Sequence, residues 1–127
     1  MDINYTDMLS RKLDNFIEKH YANNKSALLL KGARQVGKTS AIRKYARKQR
    51  MNLIEINFYE DDSACGIFKG SQNAKDVLLR ISAHTKKKTS LPNTMIFFDE
   101  VQKCPEVITW IKFLVDEGSC KYALSGS

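Results

Sequence analysis

The chain has 127 residues and a formal net charge of +7, from 21 lysines and arginines against 14 aspartates and glutamates. That length suits one domain with one buried core. No apolar run approaches the roughly 20 residues that span a bilayer, which excludes a membrane-spanning reading. The start, Met1-Asp2-Ile3-Asn4, lacks the basic and apolar stretches of a secretion signal, so the expected location is cytoplasmic.

Residues 5–22 predict an amphipathic helix, with Leu9, Leu13, Phe16, Ile17 and His20 at three- and four-residue steps. Asn23-Asn24-Lys25-Ser26 breaks the pattern. Ala27-Leu28-Leu29-Leu30 is a continuous apolar run and reads as a strand buried on both faces. A glycine-containing loop leads into a helix over residues 38–49, apolar at Ile42, Tyr45 and Ala46 and basic elsewhere. Residues 53–58 alternate as a second strand. Residues 59–72 carry Asp61, Asp62, Gly66 and Gly70 and read mostly as loop. A helix is expected over 74–85, with Val77, Leu78 and Ile81 in register, then a polar connector over 86–93. Met95-Ile96-Phe97-Phe98 is a third buried strand, ending at Asp99-Glu100. A helix over 105–117 has Ile108, Ile111, Phe113, Leu114 and Val115 as apolar bulk. Tyr122-Ala123-Leu124 begins a fourth strand. Strands alternating with helices imply an α/β layered domain with a largely parallel sheet.

Cys65, Cys104 and Cys120 match no zinc spacing, and their odd number argues against a disulfide framework. They are expected as reduced, partly buried thiols. The basic clusters at 43–50 and 86–88 read first as solvated faces. Arg43, Lys44, Arg47, Lys48 and Arg50 also leave nucleic acid open as a partner, without a reader motif to support it.

Gly32-Ala33-Arg34-Gln35-Val36-Gly37-Lys38-Thr39 fits the phosphate-loop pattern G-x-x-x-x-G-K-[ST], known as Walker A, in full. Chance would produce it in roughly one chain in 200 of this length, and here a strand precedes it and a helix follows. Gly32 and Gly37 permit backbone angles that other residues avoid. The loop amides and the start of the helix, up to Ser40, converge on an anion. Lys38 supplies a charge for the β- and γ-phosphates, and the Thr39 hydroxyl is suited to ligate Mg²⁺. Asp99 and Glu100, in a Walker B position, end a buried strand on the sheet edge where ligands bind in open α/β folds. Asp99 is the expected second Mg²⁺ partner, and Glu100 the residue that orients water toward the γ-phosphate.

With both motifs identified, the chain resembles a group of prokaryotic AAA-type P-loop ATPases of largely unknown role. The resemblance rests on the Arg-Gln-Val-Gly-Lys-Thr loop, on Phe97-Phe98-Asp99-Glu100-Val101-Gln102, on Trp110-Ile111-Lys112-Phe113-Leu114 and on Ser125-Gly126-Ser127. It implies an AAA-type three-layer sandwich whose acidic strand lies beside the phosphate-loop strand, and it implies ATP rather than GTP. It implies that Ser125 is a polar sensor of the γ-phosphate, with Ser127 competing for that role. Relatives usually continue past the Gly-Ser motif. The expected organisation is therefore an N-terminal helix over 1–24 and the first part of an ATPase core over 25–127, truncated before the rest. Mg-dependent ATP hydrolysis, a nucleotide-binding module without turnover of its own, and a small-molecule kinase stand as readings. Self-association or a protein partner stands beside them. The adjacent Asp-Glu pair and the lack of an arginine-rich lid argue against the kinase.

Overall fold

The computed structural model describes residues 5–32 and 37–127. Four helices and four strands follow in chain order: α1 (Tyr5–Asn23), β1 (Leu28–Lys31), α2 (Lys38–Lys48), β2 (Asn52–Asn57), α3 (Ala74–Thr85), β3 (Thr94–Asp99), α4 (Glu106–Glu117) and β4 (Lys121–Gly126). Two 3-10 segments, Asp62–Phe68 and Val101–Lys103, follow β2 and β3. The strands form one sheet in the order β1-β4-β3-β2, and every pairing is parallel.

The topology explains the layers. The connection through α2 carries the chain from one edge of the sheet to the other. The connections through α3 and α4 step back in the opposite direction. Crossovers between parallel strands are right-handed, so α2 belongs on one face and α3 and α4 on the other. The core divides accordingly. Met95 and Phe97 of β3 pack with Leu28, Leu30, Ala123, Ile42 and Tyr45, while Ile96 and Phe98 pack with Ile54, Ile56, Leu124, Val77, Ile81 and Leu114. β3 is thus buried on both faces, as its unbroken apolar run predicts.

Several expectations change. β4 lies between β1 and β3, so the acidic strand is not the neighbour of the phosphate-loop strand. β1 is an edge strand and is buried on one face only. Leu29 is 41% exposed, because α3 and α4 do not extend over it. Residues 62–68 form a 3-10 helix instead of loop, and Ala64, Ile67 and Phe68 are buried from it. In α1 the inward line is Leu13, Ile17 and Tyr21, one residue every four. Phe16 faces outward, and His20 meets the Ser26 carbonyl at 2.7 Å. On α4, Ile108 and Phe113 are exposed, while Val107 and Leu114 fill the core. Cys65 and Cys104 are disulfide-bonded, contrary to the expected thiols. Cys120 remains free. An odd cysteine count leaves one over but does not forbid a pair whose backbones approach to a Cα separation of 5.7 Å.

α1 is fastened to the sheet by its last turn. Tyr21 donates its buried hydroxyl to the Tyr122 carbonyl at 2.6 Å and stacks on Tyr45. Burial, with Tyr45 beside it, pushes the Tyr21 phenol above its ordinary value. The Tyr122 hydroxyl is the opposite case. It is buried with no hydrogen-bond partner among the described residues, and burial pushes its pKa up too, helped by Cys120 and Glu117. An unpaired buried hydroxyl costs about 1–3 kcal/mol. Tyr122→Phe is therefore expected to leave stability unchanged or raise it by about 1 kcal/mol in a urea titration. A loss above that size would mean the hydroxyl has a partner.

The basic run on α2 is largely neutralised by neighbours. Arg43 pairs with Glu55 at 2.9 Å, Lys44 with Asp14 at 2.6 Å and Lys48 with Glu18 at 2.7 Å. Exposed pairs of this kind stabilise weakly, but they reduce the free positive charge that a polyanion would meet. Among the described residues, no helix is long and apolar enough to cross a membrane.

Candidate functional site

The site lies at the carboxyl ends of the parallel strands. Gly32 closes β1 with φ +128°, and Gly37 precedes α2 with φ +72°. Both angles are costly for a side chain with a Cβ, which accounts for glycine at the two fixed loop positions. Ala33, Arg34, Gln35 and Val36, the expected interior of the phosphate cradle, lie outside the described residues, as does the start at residues 1–4.

Lys38, the first residue of α2, is only 6% exposed. Its ammonium donates to the Gly32 carbonyl at 2.8 Å and to the Gly126 carbonyl at 2.9 Å. It therefore bridges the ends of β1 and β4. Thr39 donates its hydroxyl to Asp99 Oδ2 at 3.0 Å. The other carboxylate oxygen of Asp99 accepts the Glu100 amide at 2.9 Å. Asp99 and Ser125 are register partners on β3 and β4, and Ser125 is almost fully buried.

Glu100 has φ +58° and ψ +47°, a left-handed conformation that a residue with a Cβ adopts at a cost of about 1–2 kcal/mol. That turn ends β3 and begins the 3-10 segment, and it separates the two adjacent carboxylates. Asp99 faces Thr39, while Glu100 accepts from Gln102 Nε2 at 2.8 Å. Gln102 Nε2 also lies 3.2 Å from the Ser127 hydroxyl. Gly126 lets this segment approach β4. A Cβ there would meet Gln102 Oε1 at 2.8 Å and Val101 Cγ2 at 3.2 Å. Gly126→Ala is accordingly expected to displace Gln102 and to destabilise the fold by about 1–3 kcal/mol, measured as a lowered urea midpoint; an unaltered midpoint would show that the segment gives way freely.

Gly37, Lys38, Thr39, Ser40, Asp99, Glu100 and Ser125 line a single open cleft of about 370 Å³. Ser127 is not among its lining residues and contacts Gln102 instead. Sequence reasoning missed three members of the wall: Asn57, the last residue of β2, and Tyr59 and Glu60 just after it. The signal was present. β2 is parallel to β3, with Asn57 beside Asp99, so its carboxyl end had to open on the same edge. Asn57 Oδ1 accepts the amides of Tyr59 and Glu60 at 2.9 and 3.1 Å and so turns the chain there. A second cleft of about 600 Å³ shares Thr39, Asn57, Glu60 and Asp99, and continues to Arg43, Asp61 and His84. His84 Nε2 lies 2.6 Å from Asp61 Oδ2, and this hydrogen bond, with one from Ser63, holds the Asp61 carboxyl below its ordinary value.

A family model described as an AAA domain matches residues 24–127. The chain belongs to the AAA domain family. No curated protein matches it. The match takes in the whole sheet, both glycines of the loop and the acidic pair, and the AAA assignment makes this a nucleotide-binding class of domain. The four-stranded parallel sheet between helical layers is consistent with that fold.

The arrangement fits a nucleotide with its metal on two observations. A buried ammonium has only two backbone carbonyls as partners in the described structure, leaving one of its three donors for a phosphate oxygen. A hydroxyl and a carboxylate meet at 3.0 Å, which is the hard-oxygen donor set that Mg²⁺ takes alongside phosphate.

Proposed function

We propose that this AAA domain binds Mg-ATP and hydrolyses its terminal phosphoanhydride bond. The observation that carries the reading is the convergence of Lys38, Thr39, Asp99, Glu100 and Ser125 on one cleft at the carboxyl ends of β1, β3 and β4. Bound Mg²⁺ would supply charge neutralisation between the β- and γ-phosphates, with Thr39 and Asp99 as its protein partners. Lys38 holds the γ-phosphate oxygens, and residues 32–40 provide the remaining cradle. Glu100 orients the attacking water and polarises it. Ser125, buried on the strand between β1 and β3, contacts the γ-phosphate and distinguishes the triphosphate from the diphosphate. A cytoplasmic location, where ATP and Mg²⁺ are available, goes with this reading. Contacts with a second copy or a protein partner would supply any charge the cleft itself lacks.

One observation favours a second reading, a binding module without turnover of its own. The Glu100 carboxylate accepts from Gln102 Nε2, an engagement that competes with orienting a water. Titration of the purified chain with ATP and Mg²⁺, with phosphate release followed on the same samples, separates the two. Saturable binding with steady release supports hydrolysis. Binding without release supports the module, and no binding removes both.

A further inference from the structure

The two 3-10 segments beside the nucleotide cleft are covalently joined. Cys65 lies in the helix Asp62–Phe68, and Cys104 closes the turn that follows Glu100. The two sulfurs differ in access. Cys104 is fully buried, whereas Cys65 is half-buried and opens on a small cleft of about 310 Å³ with Gly66, Phe68, Lys69 and Glu106. Glu106 Oε2 abuts both, at 3.5 Å from Cys104 Sγ, and is placed to accept from the Cys65 thiol when the bond is open.

The bond fixes the far end of the Glu100 turn. Within that turn Lys103 N donates to the Glu100 carbonyl and Cys104 N to the Val101 carbonyl, both at 3.0 Å. Val101 is buried beside Gly126, and Gln102 holds Glu100. The partner segment is itself anchored by buried Ala64, Ile67 and Phe68. A turn held at Cys104 cannot easily rotate Glu100 away from Gln102 and toward a water. Lys38 and Thr39 lie on α2, outside the two segments that the bond joins.

We propose that Cys65 and Cys104 form a reversible thiol–disulfide modification site through which low-molecular-weight disulfides slow turnover. The proposal rests on the Mg-ATP reading of the adjoining cleft. Cys65, the accessible thiol, loses its proton to solvent. Its thiolate attacks one sulfur of the small disulfide, and that S–S bond breaks to release one thiolate. Cys104 gives its proton to that released thiolate, and the Cys104 thiolate attacks Cys65 Sγ and expels the second, which takes up from solvent the proton that Cys65 lost. Two protein thiols are oxidised, and one small disulfide is reduced to two thiols. In a reducing compartment the pair stands open, consistent with the sensing role that intracellular disulfides usually have.

The test equilibrates the purified chain across ratios of reduced to oxidised glutathione. Non-reducing peptide mapping distinguishes a Cys65–Cys104 link from one involving Cys120, and ATP affinity and turnover are read on the same samples. The expected result is the Cys65–Cys104 peptide under oxidising ratios, with kcat about 3–10-fold lower than in the reduced chain and ATP Kd within about twofold. Cys65→Ser, at the more exposed position, is expected to show the reduced-state kcat at every ratio. Absence of the linked peptide at the most oxidising ratio overturns the proposal, and so does a linked chain with unchanged kcat. If neither state turns over, the hydrolysis reading fails separately. Amide hydrogen exchange at Lys103 and Cys104 then decides: slower exchange in the linked chain supports the tether, and equal exchange overturns it.

Discussion

Lys38→Ala is expected to weaken ATP binding by about 10–150-fold, since a hydrogen bond to a charged group contributes about 1.5–3 kcal/mol and one donor of the ammonium is left for a phosphate oxygen. The geometry makes the effect on folding smaller than the effect on binding. The ammonium is buried and joins the Gly32 and Gly126 carbonyls, so its loss leaves two acceptors short of a partner. The same change removes a charge that is held away from water, and this second term offsets the first. Thermal denaturation should therefore show a shift of only a few degrees, while isothermal titration shows little or no heat of ATP binding. Arginine is not a conservative replacement. Its planar fork cannot follow the compact bridge between the ends of β1 and β4. An alanine variant that binds ATP like the parent chain would remove Lys38 from the phosphate site.

Glu100→Gln separates chemistry from binding. A positioned general base contributes about 10²–10⁴-fold, and a drop of that order in kcat is expected, with ATP Kd unchanged or lower. The amide retains an oxygen that can accept from Gln102, so the left-handed turn at Glu100 and the register of β3 with β4 should survive. The control is Asp99→Asn, which keeps an acceptor for Thr39 but removes the charge opposite the metal. Its loss should appear as a raised Mg²⁺ requirement. Rapid-quench turnover alongside nucleotide titration checks both, and an undiminished kcat in Glu100→Gln would end the assigned role.

Local chemistry was legible in the sequence wherever one residue type had one physical reason to be there. The glycines at 32 and 37 occupy the positive φ that their motif demands, and the apolar run of β3 is buried on both faces. The pattern over 74–85 predicts α3 to the residue, because Val77, Leu78 and Ile81 recur on one side and all three are buried. What escaped depends on contacts distant in sequence. Nothing within residues 27–30 states that β1 is at an edge, and nothing within 95–98 states that β4 separates β3 from β1. Those facts follow from how three crossovers share two faces. The spacing of Phe16 and Ile108 fits an inward helical face, but the buried arc on each helix is narrower than the apolar one. The 3-10 helix at 62–68 was hidden by its aspartates and glycines, although Ala64, Ile67 and Phe68 carry a helical spacing. The Cys65–Cys104 pair is legible only once that helix and the turn after Glu100 are placed together.

The position of β1 has a mechanical consequence. The strand that leads into the phosphate loop is four residues long and is laced to the sheet along one side only. Among the described residues no strand lies opposite its other side, whose main-chain donors and acceptors are a template for strand pairing. The opposite edge of the sheet is partly blocked, since the Lys87 ammonium caps the Leu53 carbonyl of β2 at 3.0 Å. The two edges of the sheet are therefore unequal: the one that leads into the phosphate cradle keeps its main-chain groups open, and the one at β2 is capped in part by a side chain.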